Sequence, residues 1–172
     1  MTIFFTSDTH FGDSRVWRIA KRPFATLALH DEVLTHRWNE TVGAEDEIWH
    51  LGDFALSSDP ERIARLLAGL NGRKNLVIGN NDSAATLASP AWASVQHYAE
   101  LLIDGRRCIL CHYPFRTWNQ MSKGAFNLHG HSHAMLKPLP RQVDVGVDAW
   151  DYRPVMLDMI LTRRRKVAAS QD

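Results

Sequence analysis

The chain has 172 residues, 45% of them hydrophobic, enough for one domain with a real core. Its 20 basic and 19 acidic side chains nearly cancel, so no global field draws it to nucleic acid or to a membrane surface. No apolar run reaches bilayer length, and Met1–Thr6 lacks the charged start of a signal peptide. The expectation is one cytoplasmic domain over 1–172, with its core at about 3–160 and a basic polar tail at 163–172.

Ile3-Phe4-Phe5 reads as a first strand, ending in Ser7-Asp8-Thr9-His10-Phe11-Gly12-Asp13. Asp8 and His10 are two apart, so they converge if strand geometry persists; taken alone, a turn with an N-cap aspartate is the better account. Val16–Ala20 is mildly helical and closed by Pro23. Leu29–Trp38 is a helix with Leu29, Val33, Leu34 and Trp38 near helical spacing, and its His30 and His36 are expected to face solvent. Glu47–Leu51 is the second strand. The following Gly52-Asp53 puts a carboxylate at its C-terminal end, where open α/β sheets bind ligands. His50, three before Asp53, points away from it as a core or supporting residue.

Ser58-Asp59-Pro60-Glu61 starts a helix with Pro60 in its first turn, and Asn71-Gly72 stops it. Lys74–Ile78 is the third strand and runs into Gly79-Asn80-Asn81-Asp82. Pro90–Ala93 is helical or irregular, and His97 is a surface residue. Leu101–Ile103 and Arg106–Cys111 form a hairpin around Asp104-Gly105, ending in His112-Tyr113-Pro114. Cys108 and Cys111 stand three apart in a strand and so face opposite ways, which fits buried structural residues better than a redox or zinc pair. Val143–Val147 and Val155–Ile160 are two more strands, followed by Arg163-Arg164-Arg165-Lys166, read as a solvated tail. Strands alternate with helices first and then follow one another, which suggests α/β with two sheets face to face and helices outside.

Phe126-Asn127-Leu128 leads into His129-Gly130-His131-Ser132-His133. In an extended segment His131 and His133 aim at one point, and Gly130 lets backbone come close to it. His129 shares their face as a supporting residue. Neutral imidazole is the commonest side-chain metal ligand, but a short histidine tract alone is weak evidence. The strand ends add Asp8, His10, Asp53, Asn80 and His112. Seven N and O ligands are too many for one tetrahedral site and suit two metals sharing a bridge, with Asp53 the natural bridging carboxylate.

In this ordered set the chain resembles the calcineurin-like metallophosphoesterases, whose marks are Asp-x-His, Gly-Asp, Gly-Asn-His-Asp/Glu, an isolated His and Gly-His-x-His. They stand here as Asp8-Thr9-His10, Gly52-Asp53, Gly79-Asn80-Asn81-Asp82, His112 and Gly130-His131-Ser132-His133. With its compact length and His112-Tyr113-Pro114, the chain looks like the small bacterial and phage members. The resemblance implies a four-layer α/β/β/α sandwich of two mixed sheets. It implies a first metal on Asp8, His10, Asp53 and His133, and a second on Asp53, Asn80, His112 and His131. It also implies hydrolysis of phosphate esters, diesters ahead of proteins, by a metal-bridging hydroxide. The ligand types suit Mn, Fe, Zn or Ni, with Mn favoured.

The chain departs from that pattern at Asn81, where the family has His: an amide donates a hydrogen bond but delivers no proton at neutral pH. Many small relatives also have His at the Asp13 position. Arg22 and Arg116 are candidate phosphate contacts; Trp118 and Trp150 fit packing better than stacking on a substrate ring. The expected partner is a small phosphate ester or nucleotide, with no stable nucleic-acid complex indicated. The alternative is a metal-loaded module that binds a phosphate ligand or a partner protein with little turnover.

Overall fold

The computed structural model describes residues 1–137 and 139–169. Two mixed sheets carry the fold. The first has the order β4-β3-β2-β1-β9. Its strands are β1 (Ile3–Thr6), β2 (Glu47–His50), β3 (Arg73–Val77), β4 (Ser94–Gln96) and β9 (Val155–Met156). The first four run parallel and β9 is antiparallel to β1. The second has the order β5-β6-β7-β8, made of β5 (Ala99–Ile103), β6 (Arg106–Leu110), β7 (Phe126–His129) and β8 (Gln142–Asp144). The β5-β6 hairpin is antiparallel and β6-β7-β8 are parallel.

The alternation of strand side chains builds the layers. Phe5, Trp49, Val77, Cys108, Leu110, Phe126 and Leu128 face inward and form the core between the sheets. After a short α1 (Val16–Ala20) the larger helices cover the first sheet: Phe4, Ile48 and Leu76 face outward, against Leu34 and Trp38 of α2 (Leu27–Thr41) and Ile63 and Leu67 of α3 (Pro60–Ala68). Thr26 caps α2 and Asp59 caps α3, the latter with Pro60 at its start. On the outer face of the second sheet the cover is thin: Ile109 packs against Trp118 and Ala125 beside a single 3-10 turn, Met121–Lys123.

Several expectations are corrected. Val155–Ile160 is not one strand: β9 ends at Met156, and α5 runs over Leu157–Ala169. Leu157, Ile160 and Leu161 lie at helical spacing and enter the inter-sheet core. The basic run therefore starts on a helix, where Arg163 lies over Trp150 and donates to the Ala149 carbonyl; residues 170–172 of the expected tail lie outside the described residues. His30 does not face solvent. It is fully buried, bonded to Arg22 and Asp31 and packed on Phe24. Two short elements carry no clear signal in the sequence, α4 (Ala84–Leu87) and β4; Pro90–Ala93 lies between them in turns and bends. Cys108 and Cys111 are both buried and free.

Candidate metal centre

The loops after β1, β2, β3, β6 and β7 meet at the C-terminal ends of the parallel strands, as expected of ligand sites in open α/β sheets. A parallel bridge between Ser7 and Gly146 ties the end of β1 to the segment after β8 and so joins the two sheets at this edge. Glycine permits the close packing. A Cβ on Gly52, whose φ is +93°, would meet the Gly79 backbone and His112 Nδ1, both at 2.6 Å, and one on Gly130 would overlap Ser7 and Asp8.

Convergence is achieved by kinks rather than by extended strand. β7 stops at His129, and His131 and His133 have φ of +65° and +46°. Asp8, His10 and Asp53 are likewise left-handed, at +57°, +50° and +58°. Asp and His tolerate this region better than most side chains, yet each residue so held is strained, and such clusters mark functional sites.

Oxygen and nitrogen atoms of Asp8, His10 and His133 lie within 4.8 Å of one another, as do those of Asp8, Asp53 and His112. Asp8 thus belongs to both groups. Asp53 stands between the imidazoles, with His10 Nε2 and His112 Nε2 each 3.6 Å from one of its oxygens. His112 Nε2 is 3.0 Å from Asn80 Oδ1, and the His131 ring packs edge-on against His112 at 5.1 Å. His131 and Asn80 are exposed; Asp8, His10, Asp53 and His112 are buried.

Three imidazoles are set in one tautomer. His10 Nδ1 donates to Asp13 (3.3 Å), His112 Nδ1 to the Leu51 carbonyl (2.7 Å) and His133 Nδ1 to Asp148 (2.8 Å). Each leaves Nε2 as a lone pair, and in His10 and His112 it faces the Asp53 carboxylate, the outer-shell arrangement typical of metal-ligating histidines. His10 Nε2 is buried with no hydrogen-bond partner, and His112 Nε2 faces oxygens that cannot donate to it. Burial pushes the Asp8 carboxyl up to about 7, against the pull of His112 and His133. Burial also lowers His10 to about 4. Facing acceptors, an orphaned nitrogen and a carboxylate resisting ionisation are what divalent cations would satisfy, so the donor set fits them.

In the sequence His50 and His129 read as supporting residues, whereas Asp13, Asp82 and Asp148 do not. Asp13 orients His10 and also binds Arg15. Asp148 holds His133 and takes both prongs of Arg22, at 2.8 Å each. Burial would raise Asp148, but its bonds to His133 and Arg22 hold it down at about 2. Asp82 accepts from the backbone N–H groups of Asp53, Phe54 and Gly79 and fixes the two loops together. His50, buried behind the centre, bonds to Thr9 and to the Gly52 N–H. His129 donates to the Gly130 carbonyl.

The expected substrate contacts fare differently. Arg22 is buried and uses all five donors inside the fold, on Asp148, Thr9, Asp8 and His30, which leaves no fork for a phosphate. Arg116 is exposed. Asn81 turns toward Asp53: its backbone N–H and side-chain amide donate to the two carboxylate oxygens at 2.8 and 2.7 Å. Trp118 is buried and donates to the Ala125 carbonyl, and Trp150 donates to that of Asp144; both serve packing.

Comparison with known proteins gives a consistent result. The chain is 29% identical over 167 residues to the uncharacterized protein MJ1445 of Methanocaldococcus jannaschii, covering 92% of this chain and 89% of that one. It is 31% identical over 179 residues to the Gene 66 protein of Mycobacterium phage D29, covering 86% and 88%. Its fold matches that of AQ665, a protein of unknown function from Aquifex aeolicus, with a TM-score of 0.74 at 22% identity over 93% of this chain and 97% of that one. Residues 1–144 match the calcineurin-like phosphoesterase superfamily domain, a span that contains every block around the centre, and the chain belongs to that superfamily.

Proposed function

We propose that the protein is a dinuclear metal-dependent phosphoesterase acting on small phosphate esters or nucleotides, diesters ahead of proteins. The observation that carries this is the pair of imidazoles, His10 and His112, with Nδ1 tied outward and Nε2 turned onto the two oxygens of Asp53, beside the buried Asp8. One cation would be held by Asp8, His10, Asp53 and His133, the other by Asp53, Asn80, His112 and His131, with manganese favoured. Such a pair supplies an activated water nucleophile and neutralises phosphoryl oxygens when bound.

The chain's own residues set the rest. Asp53 presents one oxygen to each side, and the Asp82 and Asn81 hydrogen bonds fix its loop and carboxylate. Asn81 has no proton to deliver, so the leaving oxygen draws its proton from solvent, which favours weakly basic leaving groups. Arg116 remains a candidate phosphate contact. No described helix is long and apolar enough to cross a membrane, and two free buried cysteines suit a reducing, cytoplasmic setting.

The test is turnover of nitrophenyl phosphate mono- and diesters by manganese-reconstituted protein. Turnover dependent on two equivalents of metal is expected. Full metal loading without turnover would favour the second reading, a metal-loaded binding module, for which the neutral Asn81 is the motive.

A further inference from the structure

We propose that Arg15 is a phosphate-binding residue of this centre, presented by Asp13 so that its free donor edge takes an anionic oxygen of the bound phosphoryl group. This rests on the phosphoesterase reading above. The Asp13 side chain is 1% exposed, and its two oxygens are shared between the centre and Arg15. Oδ2 accepts from His10 Nδ1 and from Arg15 Nη2, and Oδ1 accepts from Arg15 Nε and from the Arg15 backbone. The guanidinium is therefore clamped to the same oxygen that orients the candidate ligand His10.

The clamp uses only the Nε–Nη2 edge. Among the described residues nothing bonds to Nη1, and the side chain is 50% exposed, so a donor edge stays free on a guanidinium that shares Asp13 Oδ2 with His10. The hydrogen bonds that Arg15 donates to Asp13 hold it above its usual pKa, and Asp13 Oδ2 links the guanidinium directly to His10 of the centre. A guanidinium fixed along one edge and free along the other is preorganised for phosphate. The other candidates are less suited. Arg22 has no free donor, and Arg116 has no ion pair to hold it among the described residues. Asn81 is neutral and already engaged with Asp53, so the cationic contact falls to Arg15. If the pair is instead an ordinary surface salt bridge, it contributes little to anything.

Arg15→Gln and Arg15→Lys in the manganese-loaded protein separate these roles, with inorganic phosphate binding by calorimetry and nitrophenyl ester kinetics as readouts. Arg15→Gln should weaken phosphate binding and raise KM about 10- to 100-fold, the loss of one or two charge-assisted hydrogen bonds, with metal content retained. Arg15→Lys should recover part of the affinity, because it keeps the charge and loses the fork. Unchanged phosphate affinity and KM in Arg15→Gln would overturn the proposal. So would loss of metal together with phosphate, which would make Arg15 a clip acting through Asp13 on His10. If the wild-type protein binds phosphate but turns over no ester, the phosphoesterase reading fails, and calorimetry alone decides Arg15. If it binds no phosphate at all, both fail.

Discussion

Asp148→Asn tests whether the centre is held from outside as well as from within. Asp148 is 7% exposed and Arg22 is fully buried, so their bidentate pair is an interior ion pair. Removing the charge of one partner leaves the Arg22 guanidinium buried and uncompensated, a loss of about 3–5 kcal/mol. For a chain of this size each kcal/mol moves Tm by roughly 2–4 °C, so a fall of about 6–20 °C is expected in chelated protein by differential scanning calorimetry. The same substitution puts an amide opposite His133 Nδ1, where Oδ2 of Asp148 now accepts at 2.8 Å. His133 then loses its fixed tautomer, and metal affinity should fall about 10- to 100-fold in isothermal titration. The two readouts are separable. A lowered Tm with unchanged metal affinity would refute the orienting role of Asp148, and an unchanged Tm would refute the claim that Arg22 depends on it.

Asn81→His should raise turnover of alkyl or nucleoside esters about 10²- to 10⁴-fold, the usual worth of a general acid, and of nitrophenyl esters much less; an equal gain on both would point to a phosphate contact instead. Asp53→Ala should weaken both metal sites and His133→Ala mainly one, and calorimetric titrations showing equal single-site losses would contradict the bridging position of Asp53. In chelated protein the pH dependence has opposing parts. Asp8, raised to about 7, contributes stability fully below its unfolded value near 3.8, and this is lost as pH rises through 7; His10 and His50, lowered by burial to about 4 and 3, contribute above their unfolded value near 6.5 and lose it as pH falls through those values. Carbon-13 NMR should place the Asp8 midpoint near 7 without metal and well below it with zinc bound; an ordinary midpoint near 4 in chelated protein would contradict the burial of Asp8 as the cause.

Much of the fold could be read because its strands are short apolar runs closed by punctuation. β1, β2, β3 and the Asp104-Gly105 hairpin all announce themselves in this way, whereas β7 (Phe126–His129), interrupted by Asn127, is a strand through its pairing with β6 and β8. β4 gives no such sign either: Ser94–Gln96 has no apolar run, and it is a strand because β3 offers it an edge to pair with. The Val155–Ile160 run is too short for its period to decide between strand and helix, and the core between the sheets decides it by taking Leu157 and Ile160. His30 looks like a polar residue on an amphipathic helix. Its burial is a tertiary matter, with Arg22, eight residues earlier, bonded to its ring and Phe24 packed on it.

The centre shows a sharper division. Its candidate ligands are legible because turn and capping chemistry alone would not put a carboxylate, an amide or an imidazole at one strand end after another. Their geometry is not, since nothing local requires Asp8, His10, Asp53, His131 and His133 to be left-handed. The rule that finds Asp53 also finds Asp148 and Asp144 when it is applied to β8 and the turn after it, and the Asp144 carboxylate accepts from Ser132, Ala134 and Gly146 around the histidine loop. Those residues matter because strain at the ligands persists only where the surroundings over-determine it. Asp8 illustrates how: the His131 N–H donates to both of its oxygens, Arg22 bonds to its carbonyl, and its own N–H donates to Gly52. These contacts come from three loops and from both sheets, whose strand ends meet at the Ser7–Gly146 bridge. Cations bound at this seam would stabilise the folded chain by mass action, so the centre that serves the chemistry would also fasten one sheet to the other.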